Sequence, residues 1–247
     1  MSSDHFSAVA PLYVRSRPTY PQELFVWLAR ICANRTLAWD VGAGNGQASV
    51  ALAAHFAKVL ATDLSEAQIA QAVRHERVDY RVAPAERSGL ADGSVDLVTI
   101  AQALHWFAGE AFYAEVRRVL KPGGVVAAWT YGMLHVEDSA VDAGVSDFYH
   151  RIVGPYWPAE RRHVENGYAD LPFPFKAVAS PPFAIQLAWT LDDLLGYCRS
   201  WSATAKYEGA TGRDPVVTLE RELAPAWGRR TQRRRVSWPI AIRAGRS

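Results

Sequence analysis

The stretch that most constrains the fold is Asp40-Val41-Gly42-Ala43-Gly44-Asn45-Gly46. An apolar run, Leu37-Ala38-Trp39, leads into it, and a helical pattern from Ala48 to Phe56 leads out. The glycines therefore occupy a turn between a strand and a helix. Glycine has no Cβ and tolerates positive φ, so the backbone there can turn tightly and a ligand can approach it closely. The helix that follows directs its unpaired N–H groups back at the turn.

The rest of the chain repeats this unit. Gln22 to Ala33 reads as a helix, with Pro21 and Glu23 at its start and Leu24, Trp27, Leu28 and Ile31 at helical spacing. Lys58 to Asp63 reads as a buried strand with an acidic end. Ser65 caps a helix with Gln68 three residues on, and Ile69, Ala72 and Val73 form its buried face. Tyr80–Ala83 and Ser94–Ile100 are further strands. A helix marked by Phe112, Val116, Val119 and Leu120 ends at Lys121-Pro122-Gly123-Gly124, and Val125–Trp129 is a fifth strand. Such alternation with short links predicts a doubly wound α/β fold with a mostly parallel sheet. Ligands in these sheets sit at the carboxyl ends of the strands. The glycine turn, Asp63, the Ala85-Glu86 loop and the stretch Gln102 to Trp106 are thus expected to converge on one crevice.

Beyond Gly132 the pattern changes. Residues 132–207 are rich in aromatics and prolines, with helical pieces around Ala140–Ile152 and Asp192–Ser202, and read as a lid or as an extension of the core. A helix near Val216–Trp227 and an alternating strand around Arg235–Ile242 close the chain, with Pro239 arguing for an edge or a bulge. The expected organisation is one domain over residues 1–247. It comprises an N-terminal arm and helix (1–35), a ligand-binding core (36–131), a lid (132–207) and a C-terminal helix with an edge strand (208–247).

Charge and cysteine usage narrow the function. A formal net charge of +2 gives no global reason to expect nucleic acid or an anionic membrane. Cys32 and Cys198 sit in apolar helical patterns, which suits buried thiols rather than a disulfide framework. The absence of a signal-like N-terminus and of a long apolar run makes a cytoplasmic protein the expectation. No His/Cys/Asp cluster has metal-ligand spacing. The arginines at 229, 230, 233, 234 and 235 read as a helix C-terminus with a solvated edge, against a nucleic-acid patch as the alternative.

Two ligand classes use a glycine turn after the first strand. Dinucleotide enzymes want G-x-G-x-x-G, yet Gln47 stands where the third glycine should be. Asp40 would repel a pyrophosphate but suits a ligand with an ammonium group. Asp63 can accept hydrogen bonds from a ribose diol, which nicotinamide and adenosyl ligands both present.

These residues resemble the class I S-adenosylmethionine-dependent methyltransferases. Asp40–Gly46 looks like their first motif, Asp63 like the acid of the second, and Val95–Trp106 and Leu120–Trp129 like the later ones. The tracts Ser94–Val98 and Gln102–Phe107, the opening Tyr13…Arg17-Pro18…Tyr20-Pro21, and the later Tyr197…Trp201-Ser202-Ala203 and Trp238-Pro239 are similar to the methyltransferase type 11 group, which includes enzymes related to trans-aconitate methyltransferase. The resemblance implies a Rossmann-like seven-stranded sheet, with an N-terminal helical arm and an aromatic-rich lid. Its cofactor would be S-adenosyl-L-methionine and its partner a small-molecule substrate. Carried over, it implies that Gly42, Gly44 and Gly46 pack against the methionine part of the cofactor. Asp40 would hold the ammonium, directly or through water, and Arg17 would pair with the carboxylate. Asp63 would take the ribose hydroxyls, Leu64 would lie against the adenine, and Ala85, Glu86 and Gln102 would complete the cofactor site. Pro84 stands where many relatives carry an acid for the adenine amine.

Methyl transfer is an in-line displacement, and alignment alone can supply roughly 7–11 kcal/mol of its barrier. A carboxylate nucleophile cancels charge with the sulfonium and needs no base, whereas an amine or hydroxyl benefits from one. His105 is the candidate to orient or deprotonate a substrate, with Trp106 walling the site and Tyr13 on the substrate side; the alternative is that His105 caps a short helix and Trp106 is core. Ala101-Gln102-Ala103-Leu104 is not the Asn/Asp-Pro-Pro-aromatic stretch of enzymes that methylate DNA amines, and neither cysteine is placed for base-carbon methylation. The leading expectation is O-methylation of a small carboxylate. An RNA or protein methyltransferase and a cofactor-binding module without catalysis are the alternatives.

Overall fold

The computed structural model describes residues 18–247. In chain order the elements are α1 (Gln22–Ile31), β1 (Leu37–Val41), α2 (Gln47–Ala53), β2 (Lys58–Asp63), α3 (Glu66–Ala70), β3 (Val78–Val82), β4 (Val95–Ala101), α4 (Glu110–Val119), β5 (Leu120–Tyr131), β6 (His135–Val136), α5 (Ser139–Asp147), α6 (Arg161–Glu165), β7 (Lys176–Val178), β8 (Phe183–Trp189), α7 (Leu191–Arg199), α8 (Ser202–Thr211), α9 (Val216–Trp227) and β9 (Arg234–Arg246). They fall into two compact units. A core unit comprises Tyr20–Gly132, Arg162–Ala184 and Pro239–Ser247, and a second unit includes Met133–Arg161 and Ile185–Trp238.

The core unit is built on strands in the order β3-β2-β1-β4-β5-β9. The first five are parallel. β9 runs antiparallel to β5, from Tyr131 opposite Ile240 to Val125 opposite Arg246, and β7 pairs with the same end of β9. In β4 every residue from Val95 to Ile100 is buried, as is β5 from Val125 to Tyr131. Strands covered on both faces are buried along their length and are mostly apolar, with Asp96, Thr99 and Thr130 as the buried polar exceptions here. α4 lays Phe112, Tyr113, Val116 and Val119 against Trp39, Leu60 and Val98 in one hydrophobic cluster. Each such side chain contributes about 1.5–3 kcal/mol through burial.

At the amino end of β4 the buried Asp96 accepts hydrogen bonds from the Thr36 and Leu37 amides at 2.8 and 3.0 Å and from Lys121 Nζ at 2.7 Å. Between β3 and α4, the buried Glu115 carboxylate accepts from the Ser88 amide and hydroxyl and pairs with Arg118. The Arg118 bonds lead in holding Glu115 down at about 2, against its burial.

The second unit is mostly helical. α5 and α9 pack so closely that a Cβ on Gly144 would lie 2.6 Å from Leu223 Cδ2. α7 starts with a reciprocal cap between Thr190 and Asp193. Tyr149, Trp157 and Trp201 contact one another with ring centroids 5.0 to 5.8 Å apart, and Arg161 stacks over Trp157 at 4.7 Å. β6 pairs with Val236 and Ser237 of β9.

Some expectations are corrected and others hold. Among the described residues the strands number nine rather than seven, because β6 and most of β8 are added outside the core unit. The helix before the fifth strand ends at Val119, and Lys121-Pro122-Gly123-Gly124 lies at the start of β5, beside a register shift opposite Val95–Leu97. Val73 is exposed, because α3 ends at Ala70 and leaves it in the following loop. Pro239 falls between the residues of β9 paired with β6 and those paired with β5, the position a missing N–H tolerates. Cys32 and Cys198 are free and buried.

Candidate functional site

The carboxyl ends of β1, β2 and β4 carry the site, within the core unit. In the turn after β1, Gly42 and Gly46 have φ of +65° and +84°. A Cβ on Gly42 would lie 2.6 Å from Ala103 Cβ, and one on Gly46 would lie 2.1 Å from the Tyr80 hydroxyl. These two glycines are therefore required by the protein's own packing. Gly44 is different: the nearest atom to a Cβ there is Gln68 Oε1 at 3.8 Å. Among the described residues, space is open over the middle of the turn. The turn is fixed by Ala43 N donating to Thr62 O at 3.0 Å and Val73 N donating to Asn45 O at 3.1 Å.

Asp63 ends β2. Its Oδ2 accepts from the Gly44 amide and its Oδ1 from the Ser65 amide, both at 2.8 Å. It thereby ties the turn to the cap of α3, where Ser65 Oγ accepts from Gln68 N. Next to it, Leu64 is 72% exposed. A carboxylate beside an open apolar side chain can take a diol and the flat face of a base. Ala85 is buried in the hydrophobic cluster and Glu86 is exposed, in a turn where Arg87 N donates to Pro84 O.

Asp40 lies beneath the turn and is fully buried. Ser49 Oγ of α2 and Thr99 Oγ1 of β4 donate to its two oxygens at 2.6 and 2.8 Å. Burial pushes its carboxyl up to about 6 despite those bonds, with the nearby Asp63 charge adding to the rise. Thr99 was not singled out from the sequence, because it is the parallel register of β1 and β4 that sets it beside Asp40.

After β4 comes Gln102, with φ of +59°. Its side chain spans to β5: Nε2 donates to Tyr131 O at 3.1 Å and Oε1 accepts from Thr130 Oγ1 at 2.6 Å. His105 follows, its Nδ1 at 3.3 Å from the Tyr168 hydroxyl and its ring against Trp106, which is 58% exposed. Tyr168 is fully buried and has φ of +64°. Left-handed backbone at a bulky residue costs on the order of 1–3 kcal/mol and collects at functional sites. Arg243 holds Tyr168 there by donating to the carbonyls of Tyr168 and Leu171, both at 2.6 Å. The sequence reading counts Tyr168 among the lid aromatics and gives it no role at the site. Tyr13 and Arg17 lie outside the described residues.

The chain has full-length relatives. A protein of Dictyostelium discoideum named as a methyltransferase is 35% identical over 228 residues, which is 91% of this chain and 86% of that protein. A solved structure from Anaeromyxobacter dehalogenans, named as a type II methyltransferase, is 50% identical, superposes with a TM-score of 0.89, and is matched over 93% of this chain and 97% of its own. Residues 39–128 match the methyltransferase domain family. The chain belongs to the class I S-adenosylmethionine-dependent methyltransferases. A further relative, an uncharacterised methyltransferase of Mycobacterium tuberculosis, is 38% identical over 121 residues, or 48% of this methyltransferase and 49% of the relative.

The residues of this methyltransferase fit S-adenosylmethionine. The open space over Gly44, the carboxylate of Asp63, the exposed Leu64 and the buried, cation-poor carboxylate of Asp40 match the cofactor's backbone contacts, diol, base and ammonium in kind. Among the described residues no group of His, Cys, Asp and Glu is placed to hold a metal ion, and no helix is long and apolar enough to cross a membrane.

Proposed function

We propose that this enzyme methylates a small-molecule acceptor on a carboxylate oxygen. In that reading Gly42, Gly44 and Gly46 frame the cofactor, Asp63 takes its ribose hydroxyls, and Leu64 lies against its adenine. Asp40 favours its ammonium from beneath the turn. Ala85, Glu86 and Gln102 shape the rim, and Arg17 and Tyr13 act from the N-terminal arm. S-adenosylmethionine supplies an electrophilic methyl group on a sulfonium. His105 orients the acceptor, and Trp106 offers a π face to positive charge.

The observation that supports this most is the environment of His105. Its Nδ1 lies 3.3 Å from the Tyr168 hydroxyl, a contact that can hold the ring in place to orient an acceptor. A carboxylate acceptor needs no base, because its negative charge cancels the sulfonium as the C–O bond forms and the C–S bond breaks. Thiol acceptor chemistry on the chain's own cysteines is disfavoured, since burial pushes Cys32 up to about 12 and Cys198 upward as well.

The nucleic-acid reading has less support. Arg230 pairs with Asp192 and Glu220, Arg234 with Asp138, and Arg235 with Glu137. Arg233 donates to the Ala188 carbonyl. Their charge is largely spent within the second unit.

The test is transfer of a labelled methyl group to panels of small carboxylic acids, amines and phenols. Methyl esters are expected, and N-methyl products alone would overturn the acceptor assignment. His105→Ala should lower kcat about 100-fold while leaving S-adenosylhomocysteine affinity unchanged by calorimetry.

A further inference from the structure

We infer that Gln102 is a positioning residue for methyl transfer: its side-chain amide replaces a rung of the β4–β5 ladder and so fixes the loop of residues 103–106 against the glycine turn. The inference rests on the reading of that loop as the acceptor side of the site, given above, and deepens it.

β4 and β5 pair in parallel as far as Ala101 opposite Trp129. One more backbone bond follows, from Gln102 N to Trp129 O at 2.9 Å. Carbonyls two residues apart lie on the same side of a strand, so the next acceptor in the ladder is Tyr131 O. In a continued strand the amide of residue 104 would donate to it. Here Gln102 Nε2 donates to Tyr131 O at 3.1 Å instead, and Gln102 Oε1 accepts from the buried Thr130 hydroxyl at 2.6 Å. One side-chain amide thus closes the end of β5 while the main chain leaves the sheet. Both ends of that amide are committed to β5, so its effect on the reaction runs through the loop.

The main chain leaves by a left-handed turn. Gln102 has φ of +59°, and Tyr168 is the other non-glycine residue with positive φ among the described residues. Such a backbone persists at a residue with a Cβ only where its surroundings hold it. Glycine would take the turn without strain, but it could not make the two bonds to β5. Beyond the turn, Ala103 packs so closely on the glycine turn that a Cβ on Gly42 would lie 2.6 Å from Ala103 Cβ and 3.4 Å from the Phe107 ring. Trp106 N donates to Ala103 O at 3.0 Å and Phe107 N to Leu104 O at 3.2 Å, which winds the loop into the short helical turn carrying His105 and Trp106. The loop proposed to meet the acceptor therefore rests directly on the turn proposed to frame the donor. In-line transfer depends on that spacing, and a misplacement of about 1 Å is enough to lower its rate.

The direct test reads the loop. ¹⁹F spectra of the whole protein carrying 5-fluorotryptophan are recorded, with Trp106→Phe identifying the Trp106 signal. Gln102→Gly keeps the left-handed backbone accessible and removes the amide. It should shift or broaden the Trp106 signal, while signals other than those of Trp106 and the neighbouring Trp129 keep their positions. Thr130→Val keeps the glutamine, removes one of its two anchors, and should move the Trp106 signal by less. A Trp106 signal identical to wild type in Gln102→Gly, or in Thr130→Val where Gln102→Gly does not fold, overturns the inference. The spectrum needs no acceptor, so it stands whether or not the acceptor assignment does.

The kinetic arm uses whichever acceptor the panel identifies. Gln102→Gly should lower kcat about 10- to 100-fold, with S-adenosylhomocysteine affinity within about twofold of wild type by calorimetry. Thr130→Val should cause no further loss in the Gln102→Gly background, because the two residues act as one unit. An undiminished kcat in Gln102→Gly overturns the positioning role, and so do equal losses of kcat and S-adenosylhomocysteine affinity, which would make Gln102 a cofactor contact. Full activity of His105→Ala, with Gln102→Gly impaired, removes the role proposed for His105 and upholds that of Gln102.

Discussion

Two buried aspartates stand at opposite ends of the same parallel sheet, and they are treated in opposite ways. Asp96, at the amino end of β4, receives two backbone amides and the Lys121 ammonium. Burial pushes its carboxyl up, but the Lys121 bond and the Leu37 and Thr36 amides outweigh it and the net shift is downward. Asp40, at the carboxyl end of β1, receives only two hydroxyls, and burial wins. One carboxylate is finished by the fold and the other is left short of a cation. The first closes the sheet, and the second lies under the turn where a cationic cofactor is proposed to sit.

The comparison can be broken most forcefully at Asp96. Asp96→Ala strips the partner from a part-buried lysine and from two amides, and should cost about 3–5 kcal/mol, read as a lowered melting temperature. S-adenosylhomocysteine affinity, measured where the variant is folded, should not change. A stable Asp96→Ala protein would show that this end of the sheet is not held by charge.

Asp40 has the next largest effect and the opposite signature. The folded carboxyl, at about 6, keeps its proton more tightly than the ordinary value of 3.8. Its share of stability is thus present below pH 4 and lost as pH rises to about 6, by up to about 3 kcal/mol. The stability difference between wild type and Asp40→Asn should show that fall, leaving the variant at least as stable at neutral pH. Its S-adenosylhomocysteine affinity should drop about tenfold. Asp96 runs the other way: its depressed carboxyl adds stability above its ordinary range, and that is lost as pH falls. An Asp40→Asn variant that loses stability at neutral pH would make the two aspartates equivalent.

The smallest effect sharpens the comparison. Gly44→Ala introduces a methyl into open space, so its cost is the strain of φ +55°, about 1 kcal/mol. Calorimetric affinity for S-adenosylhomocysteine should fall further than stability does. Equal losses would mean that the space over Gly44 holds nothing.

Much of this was legible in the sequence because local chemistry decided it. β2 runs from Lys58 to Asp63 and α9 from Val216 to Trp227, at the boundaries read from periodicity. Ser65 caps as its spacing implied. What escaped depends on partners distant in sequence. Thr99 and Lys121 are ordinary residues until β1, β4 and β5 are laid side by side. Lys121-Pro122-Gly123-Gly124 reads as a stop, yet it lies inside β5 as the irregularity between Leu120, paired with Val95, and Val125, paired with Leu97. Tyr168 was the largest omission: a tyrosine after Gly167 in an aromatic segment gives no sign of a left-handed backbone, and Arg243, 75 residues away, helps to hold it there.

The raised carboxyl beneath the glycine turn has a consequence for heat. Near pH 6, Asp40 is about half protonated in the free enzyme. A cation brought over the turn favours the ionised form, so binding expels a fraction of a proton into the buffer. The enthalpy of cofactor binding will then depend on which buffer absorbs that proton, and the slope against buffer ionisation heat counts the protons released. Asp40→Asn should flatten that slope, which makes a single buried side chain visible as a term in calorimetry.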